Sequence, residues 1–163
     1  MREDLVILGV GNLLMSDDGV GIHAARQLAM DPPEGVCVVD AGTDYLSALP
    51  FLEHARRALV LDAVRGGAAP GTVHRFGPDE IALRPAGGGA HLASVLEAWR
   101  LLAPGAPWPE ILVLGVEPAV VDYGLLLSVP VAQALPRLVV EARRQIDEWT
   151  EQPRPTEFPQ VAS

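Results

Sequence analysis

Lysine is absent from this sequence of 163 residues, and cysteine occurs once. Because a phosphate-binding P-loop requires a lysine, that class of nucleotide site is excluded. Cys37 alone can form neither a disulfide nor a cysteine-rich metal site within one chain, and its apolar neighbours predict a buried, unreactive thiol. No apolar run is long enough to span a membrane, and acidic residues precede the first apolar run, unlike in a signal peptide. We therefore expect a cytoplasmic protein.

Positive charge is scarce, since 12 arginines face 21 acidic residues and the net charge is −9. Such an acidic surface repels nucleic acids and anionic membranes, so we expect neither as a partner. Hydrophobic residues make up 49% of the chain, which is enough apolar material for one core. Length and composition predict a single domain over residues 1–150, followed by a disordered, proline-rich tail over 151–163.

Short apolar runs alternate with segments of helical pattern, which predicts an α/β fold with a mostly parallel sheet covered on both faces. The predicted strands cover residues 5–10, 35–40, 57–64, 72–76 and 110–118. The predicted helices run to Met30 from a cap at Ser16, over 44–55 from a cap at Thr43, onward from His91, and over 129–149 with a bend at Pro136. Such sheets bind ligands beyond the carboxyl ends of their strands.

The segment LGVGNLLMSDDGVG, Leu8 to Gly21, looks like a nucleotide-binding turn but departs from one. The dinucleotide fingerprint needs a third glycine where this sequence has Leu14. Asp17 and Asp18 would occupy the helix N-terminus at which a phosphate binds, and they would repel it. Carboxylates there also complement the helix dipole, so their position alone favours a capping role. The turn suits a cation or a polar group better than a bare anion, and we expect no nucleotide cofactor.

Two further residues are predicted to reach the same edge of the sheet. Asp62 follows a buried apolar run, where an acid is hard to accommodate unless it is paired or acts as a ligand. His91 follows a glycine-rich segment, although its spacing alone favours a surface residue. Together with Asp18, these residues would form an open site for a borderline divalent metal ion.

The remaining polar residues have simpler interpretations. Gly42 and Thr43 follow the second strand, and turn or cap chemistry explains them about as well as ligand contact does. Glu117 is predicted either to be a surface charge at the rim of the sheet or to pair with an arginine. The other histidines are predicted to be surface or packing residues; they are His23, His54 and His74.

Taken in order, the motifs LGVGNLLMSDDGVG, DAGT, LVLDAV, a histidine before a helix and LGVEP resemble those of the hydrogenase maturation endopeptidase family. The resemblance implies a three-layer α/β/α sandwich with a twisted, mostly parallel five-stranded sheet. It also implies a peptidase that removes a C-terminal extension from the large-subunit precursor of a [NiFe] hydrogenase after nickel insertion. The family residues implicated in nickel binding and in cleavage fall on Asp18, Asp62 and His91.

The resemblance further implies that the substrate supplies the nickel and that the protein is a monomer whose substrate arrives with a maturation chaperone. Gly42 and Thr43 are expected to contact the substrate chain near the cleavage site. The metal would polarise the peptide carbonyl, lower the pKa of a bound water, or only anchor the substrate while an aspartate acts as general base. Two other functions are compatible with the fold: a nucleotide- or small-ligand-binding module, and a metal-binding protein without catalytic activity.

Overall fold

A computed structural model gives the structure of the protein and describes residues 4–77, 80, 97–98, 100–102, 104–105 and 107–152. The strands are β1 (Leu5–Val10), β2 (Val36–Gly42), β3 (Arg57–Ala63), β4 (Val73–Phe76) and β5 (Glu110–Val116). The helices that the described residues cover without a gap are α1 (Val20–Met30), α2 (Tyr45–His54) and α3 (Val129–Glu151), and a 3₁₀ turn at Ser16–Gly19 precedes α1. His91 and the chain beyond residue 152 lie outside the described residues. The predicted domain limits and disordered tail therefore stay predictions.

The five strands form one sheet in the order β2-β1-β3-β5-β4. β1 pairs in parallel with β2 and β3, and β3 pairs in parallel with β5. β4 runs antiparallel to β5 at the edge of the sheet, with Val73 opposite Val116. The prediction of a mostly parallel sheet is confirmed. Because parallel strands point the same way, β1, β2, β3 and β5 all end at one edge, called here the carboxyl edge; the opposite edge is the amino edge.

Helices cover both faces of the sheet because its central strands are apolar on both sides. Every residue of β3 is buried. On one face Leu8 of β1 belongs to a cluster with Leu52 of α2, and on the other Ile7 belongs to a cluster with Leu28 of α1 and Leu138 of α3. Each fully buried side chain of this size stabilises the fold by about 1.5–3 kcal/mol. The predicted three-layer α/β/α sandwich is confirmed.

Helix α1 lies close to the sheet at two glycines. A Cβ atom on Gly21 would collide with the carbonyl oxygen of Leu61, and one on Gly9 would lie 2.5 Å from the Cβ of Ala25. Because neither position has room for a side chain, the backbone of α1 packs directly on β1 and β3. The two glycines thereby set the distance between the first turn of α1 and the sheet.

Both predicted helix caps are wrong. Ser16 does not cap α1 but begins the 3₁₀ turn with a left-handed backbone (φ 51°), and its hydroxyl donates to the carbonyl of Asp122 (2.9 Å). Helix α2 is capped by Asp44, whose Oδ1 accepts from the N–H of Ser47 (3.3 Å), and not by Thr43. At α1 the expected capping side chain, Ser16, bonds to a distant segment instead. At α2 the cap is the residue after the expected one.

Neither α2 nor α3 ends at its internal proline. Helix α2 runs over Pro50, and α3 continues through Pro136 to Glu151. None of the helices in the described part of the chain combines the length and the apolar composition that a membrane span requires.

The amino edge of the sheet is held by a buried arginine. Arg57, the first residue of β3, is 6% exposed. Its Nε donates to Oε2 of Glu110 at the start of β5 (2.9 Å), and its Nη1 donates to the carbonyl of Trp149 in the last turn of α3 (2.7 Å). The guanidinium also lies over the Trp149 ring, 5.7 Å from its centre. These contacts join α3 to the starts of two strands.

Candidate active site

Asp62 is a buried carboxylate at the carboxyl edge. It is the penultimate residue of β3 and is only 1% exposed. Its Oδ1 accepts a hydrogen bond from the N–H of Ala63 (2.8 Å). Removing a carboxylate from water costs on the order of several kcal/mol, so packing alone does not explain an acid at this position.

Asp18 reaches the same place because a glycine turn follows β1. Gly11 has a φ of 134°, which side chains rarely tolerate. A Cβ atom on Gly11 would collide with the carbonyl oxygen of Asp18 and would lie 3.8 Å from Oδ1 of Asp62. The N–H of Asn12 donates to Oδ2 of Asp18 (2.9 Å), which orients this half-buried carboxylate. The structure therefore places the backbone of Asp18 and the carboxylate of Asp62 close to the same glycine.

Gly42 and Thr43 lie at the end of the neighbouring strand β2. Gly42 has a φ of 54°, and its carbonyl accepts a hydrogen bond from the N–H of Gly11 (3.0 Å). The turns after β1 and β2 are thus joined beside Asp18. Thr43 is exposed at the same edge. Their predicted contact with a substrate chain stays a prediction.

The third predicted ligand, His91, lies outside the described residues. Within the residues that the structure describes, no group of three or more metal-ligating side chains is present. Asp18 and Asp62 are two of the three predicted ligands, so the complete ligand set stays a prediction. Two carboxylates at one edge of a sheet are of the type that can ligate a divalent cation or take a proton from a water molecule.

Asp17, which its position alone would assign to helix capping, holds a distant segment instead. It is fully buried, and its carboxylate accepts from the N–H groups of Ala119 (2.9 Å), Val120 (2.8 Å) and Ser128 (2.7 Å) and from the hydroxyl of Ser128 (2.8 Å). Burial raises the pKa of the Asp17 carboxyl, but these hydrogen bonds outweigh burial and hold its pKa below the ordinary value. Asp17 therefore ties the turn that carries Asp18 to the segment after β5.

Glu117, which directly follows β5, pairs with a histidine and not with the predicted arginine. Its Oε2 contacts Nε2 of His74 (2.8 Å) and accepts from the N–H of Gly66 (2.7 Å), and its Oε1 accepts from the N–H of Gly67 (3.3 Å). Burial raises the pKa of Glu117, but the hydrogen bonds lower it on balance. An acid at the end of a buried apolar strand is the signal that singled out Asp62. The same argument could have predicted that Glu117 is a paired, hydrogen-bonded acid.

The sequence matches a known protein family and several of its relatives. The family model described as hydrogenase maturation protease matches residues 22–145. The chain is 32% identical over 158 residues to the hydrogenase expression/formation protein HupD of Rhodobacter capsulatus, and the match covers 90% of this chain and 73% of HupD. It is 35% identical over 147 residues to HupM of Azotobacter chroococcum, covering 84% of this chain and 69% of HupM.

Solved structures share the fold. The hydrogenase maturating endopeptidase HybD of Escherichia coli has a TM-score of 0.77 at 24% identity, covering 91% of this chain and 94% of HybD. The [NiFe] hydrogenase maturation protease HybD of Thermococcus kodakarensis has a TM-score of 0.72 at 28% identity, covering 89% of this chain and 99% of that protein. The fold of this chain therefore matches that of HybD-like protease structures.

Proposed function

We propose that this protein removes the C-terminal extension of a [NiFe] hydrogenase large-subunit precursor after nickel insertion. The chain belongs to the hydrogenase maturation protease family and is therefore a peptidase. The name of the Thermococcus relative, a [NiFe] hydrogenase maturation protease, supports this substrate class. Family membership favours a peptidase over a nucleotide-binding module or a metal-binding protein without activity.

The observation that carries the proposal is the arrangement of Asp62 and Asp18 around Gly11. Both carboxylates lie at the carboxyl edge, where α/β sheets bind their ligands. With a net charge of −9, the protein has no general attraction for an arbitrary peptide. A cation carried by the substrate changes this, because Asp18, Asp62 and His91 would then meet its vacant coordination positions. We propose that these three residues bind the nickel of the precursor and position the scissile peptide bond beside it.

Hydrolysis adds a water oxygen to the peptide carbonyl, after which the C–N bond breaks and the leaving amine takes up a proton. Either Asp18 or Asp62 removes the proton of the attacking water, or the substrate nickel lowers the pKa of a bound water. In both routes the bound cation fixes the peptide relative to the water, which accounts for much of the expected rate gain. Gly42 and Thr43, at the end of β2, would contact the substrate chain near the cut.

The partner is the large-subunit precursor, which arrives with its maturation chaperone. Nickel is supplied by that precursor, and no nucleotide takes part. The protein acts as a monomer in the cytoplasm, where a precursor would be processed before it is assembled.

A gel-shift assay with and without nickel in the precursor tests the proposal. The protein should shorten the nickel-loaded precursor and leave the nickel-free precursor intact, because without the cation the two carboxylates have nothing to bind. Asp62→Asn should fold normally, with a Tm no lower than that of the wild type, and should lower the cleavage rate by about 10²- to 10⁴-fold, the usual contribution of a general base.

Matched substitutions separate the site from the rest of the surface. Asp18→Ala and His91→Ala should each slow cleavage, whereas His54→Gln, on the exposed end of α2, should not. Equal processing of the two precursor forms would refute recognition through nickel. No processing of either form by the wild-type protein would refute the proposed substrate.

A further inference from the structure

Large apolar side chains are exposed along the carboxyl edge. They lie on two segments, the turn after β1 and the segment after β5. We call them the edge patch: Leu14 (59% exposed), Val120 (46%), Tyr123 (87%), Leu125 (68%), Leu126 (83%) and Val129 (69%). Six large exposed apolar side chains on two neighbouring segments are unusual for a surface that stays in water and are typical of an interaction site.

The backbone beneath the edge patch is held in place by hydrogen bonds between its two segments. The N–H of Gly124 donates to the carbonyl of Leu14 (2.9 Å), and the N–H of Ser16 donates to the carbonyl of Gly124 (2.8 Å). The buried Asp17 carboxylate adds four hydrogen bonds to the segment after β5. A surface fixed before a partner arrives loses little conformational entropy on binding.

The same turn joins the edge patch to the candidate active site. Asp17, which holds the patch, is followed directly by Asp18. Asn12 donates its N–H to Asp18, and its Oδ1 accepts from the N–H of Leu14 in the patch (2.9 Å). A molecule seated on the patch is therefore adjacent to Asp18.

The charges around the edge patch limit the kind of partner that fits it. Within residues 118–129 the only charged side chain is Asp122, and the adjoining turn contributes Asp18. An apolar surface with an acidic margin complements a protein face that is apolar next to a cation. The nickel-loaded precursor of the proposed function presents a cation at the point where it is cut.

We propose that the edge patch docks an apolar face of the folded large-subunit precursor, next to its bound nickel, and that Asp17 positions this docking surface relative to Asp18. This inference rests on the proposed function. It adds a second recognition element: the site residues take the cation, and the edge patch takes the body of the precursor. Cleavage of the intact precursor then depends on a surface that contributes to binding and not to the chemical step.

The test replaces Tyr123 and Leu126 by serine together. The double variant should raise KM for the nickel-loaded precursor at least tenfold and keep kcat within about twofold, because lost uniform binding changes KM alone. The matched control replaces Met30 and Val140 by serine together. These side chains are 87% and 61% exposed on α1 and α3, and their replacement should leave KM unchanged. If the double variant does not fold, Leu14→Ser alone replaces it, with a smaller rise in KM expected.

A binding measurement distinguishes failure of the inference from failure of the proposed function. In an Asp62→Asn background, which cuts the precursor slowly enough for a binding measurement, the serine pair should weaken the Kd at least tenfold. An unchanged KM and Kd would overturn the docking proposal even if the wild-type protein cleaves the precursor. A wild-type protein that does not cleave would refute the proposed function, while the Kd would still decide on docking. A wild-type dimer in sedimentation that the serine pair dissociates would also overturn it, because a second copy would then cover the patch.

Discussion

The two edges of the sheet hold buried charge in opposite ways. At the amino edge the buried charge is the cation of Arg57, which pairs with Glu110 and with the last turn of α3. At the carboxyl edge the buried charges are the acids Asp17, Asp62 and Glu117, and backbone N–H groups satisfy much of their hydrogen bonding. The first edge joins elements of the fold by an ion pair between the buried Arg57 and the exposed Glu110. The second concentrates negative charge beside Asp18, which favours a cation from outside.

The largest effect in this comparison is expected from Asp17→Ala. Losing a buried carboxylate with four hydrogen bonds should lower the free energy of unfolding by about 2–4 kcal/mol, because three N–H groups and a hydroxyl lose their acceptor. Cleavage of the precursor should fall as well, since the docking surface and Asp18 lose their connection. Urea unfolding and the gel-shift assay measure the two effects.

The lowered pKa of Asp17 adds a pH dependence to this prediction. Because its folded pKa lies below the unfolded value, the carboxylate stabilises the protein above the unfolded pKa, and this contribution is lost as pH falls through the folded pKa. The stability difference between wild type and Asp17→Ala should therefore narrow below about pH 4. The exposed acid Asp122, replaced by alanine, is the control. An equal loss of stability in both variants would show that the hydrogen bonds of Asp17 contribute nothing specific.

A smaller effect, on stability alone, is expected at the amino edge. Arg57→Met should lower the free energy of unfolding by about 1.5–3 kcal/mol, because Glu110 and the carbonyl of Trp149 lose a charged donor. The cleavage rate of the folded protein should stay within about twofold of wild type. Arg144→Met, which removes an exposed pair with Glu141, is the control and should cost under about 0.5 kcal/mol. Loss of cleavage by folded Arg57→Met would show that the two edges are not independent.

The smallest effect is expected for the histidine at the carboxyl edge. His74→Gln should cost about 1 kcal/mol, because glutamine keeps a donor for Glu117 but not the geometry of the ring. Cleavage should stay within about twofold, since Gly66 and Gly67 still hold Glu117. Thermal unfolding and the gel-shift assay check the two parts. A tenfold fall in cleavage would place His74 among the residues that the reaction requires.

The strands were predictable because their signals are local. β1 runs over Leu5–Val10 as the apolar pattern predicts, and the predicted limits of β3 and β5 differ from the observed ones by two residues or fewer. Asp62 was predictable for the same reason, because an acid that ends a buried strand conflicts with packing. The direction of β4 was not predictable, since nothing within its four residues distinguishes an antiparallel edge strand from a parallel one.

The missed features depend on contacts between distant parts of the chain. Asp17 and Ser16 have the residue types of a helix start, but their partners lie more than 100 residues further along the chain, as with the Asp17 bond to Ala119 and the Ser16 bond to Asp122. Glu117 and His74 lie 43 residues apart and meet through the pairing of β4 with β5. Local propensity favours one role for such residues, and tertiary hydrogen bonding then assigns another.

The close contact between α1 and the sheet makes the reaction rate sensitive to helix position. An alanine at position 21 would force the helix away from the carbonyl oxygen of Leu61. Asp18 lies three residues earlier on the same continuous turn, so its carboxylate would move with the helix while Asp62 stays in the sheet. A misplacement of about 1 Å costs roughly 10²-fold in effective molarity between reacting groups. One chemically inert methyl group, on a residue that is not itself a proposed ligand, would thus act on catalysis purely as a spacer.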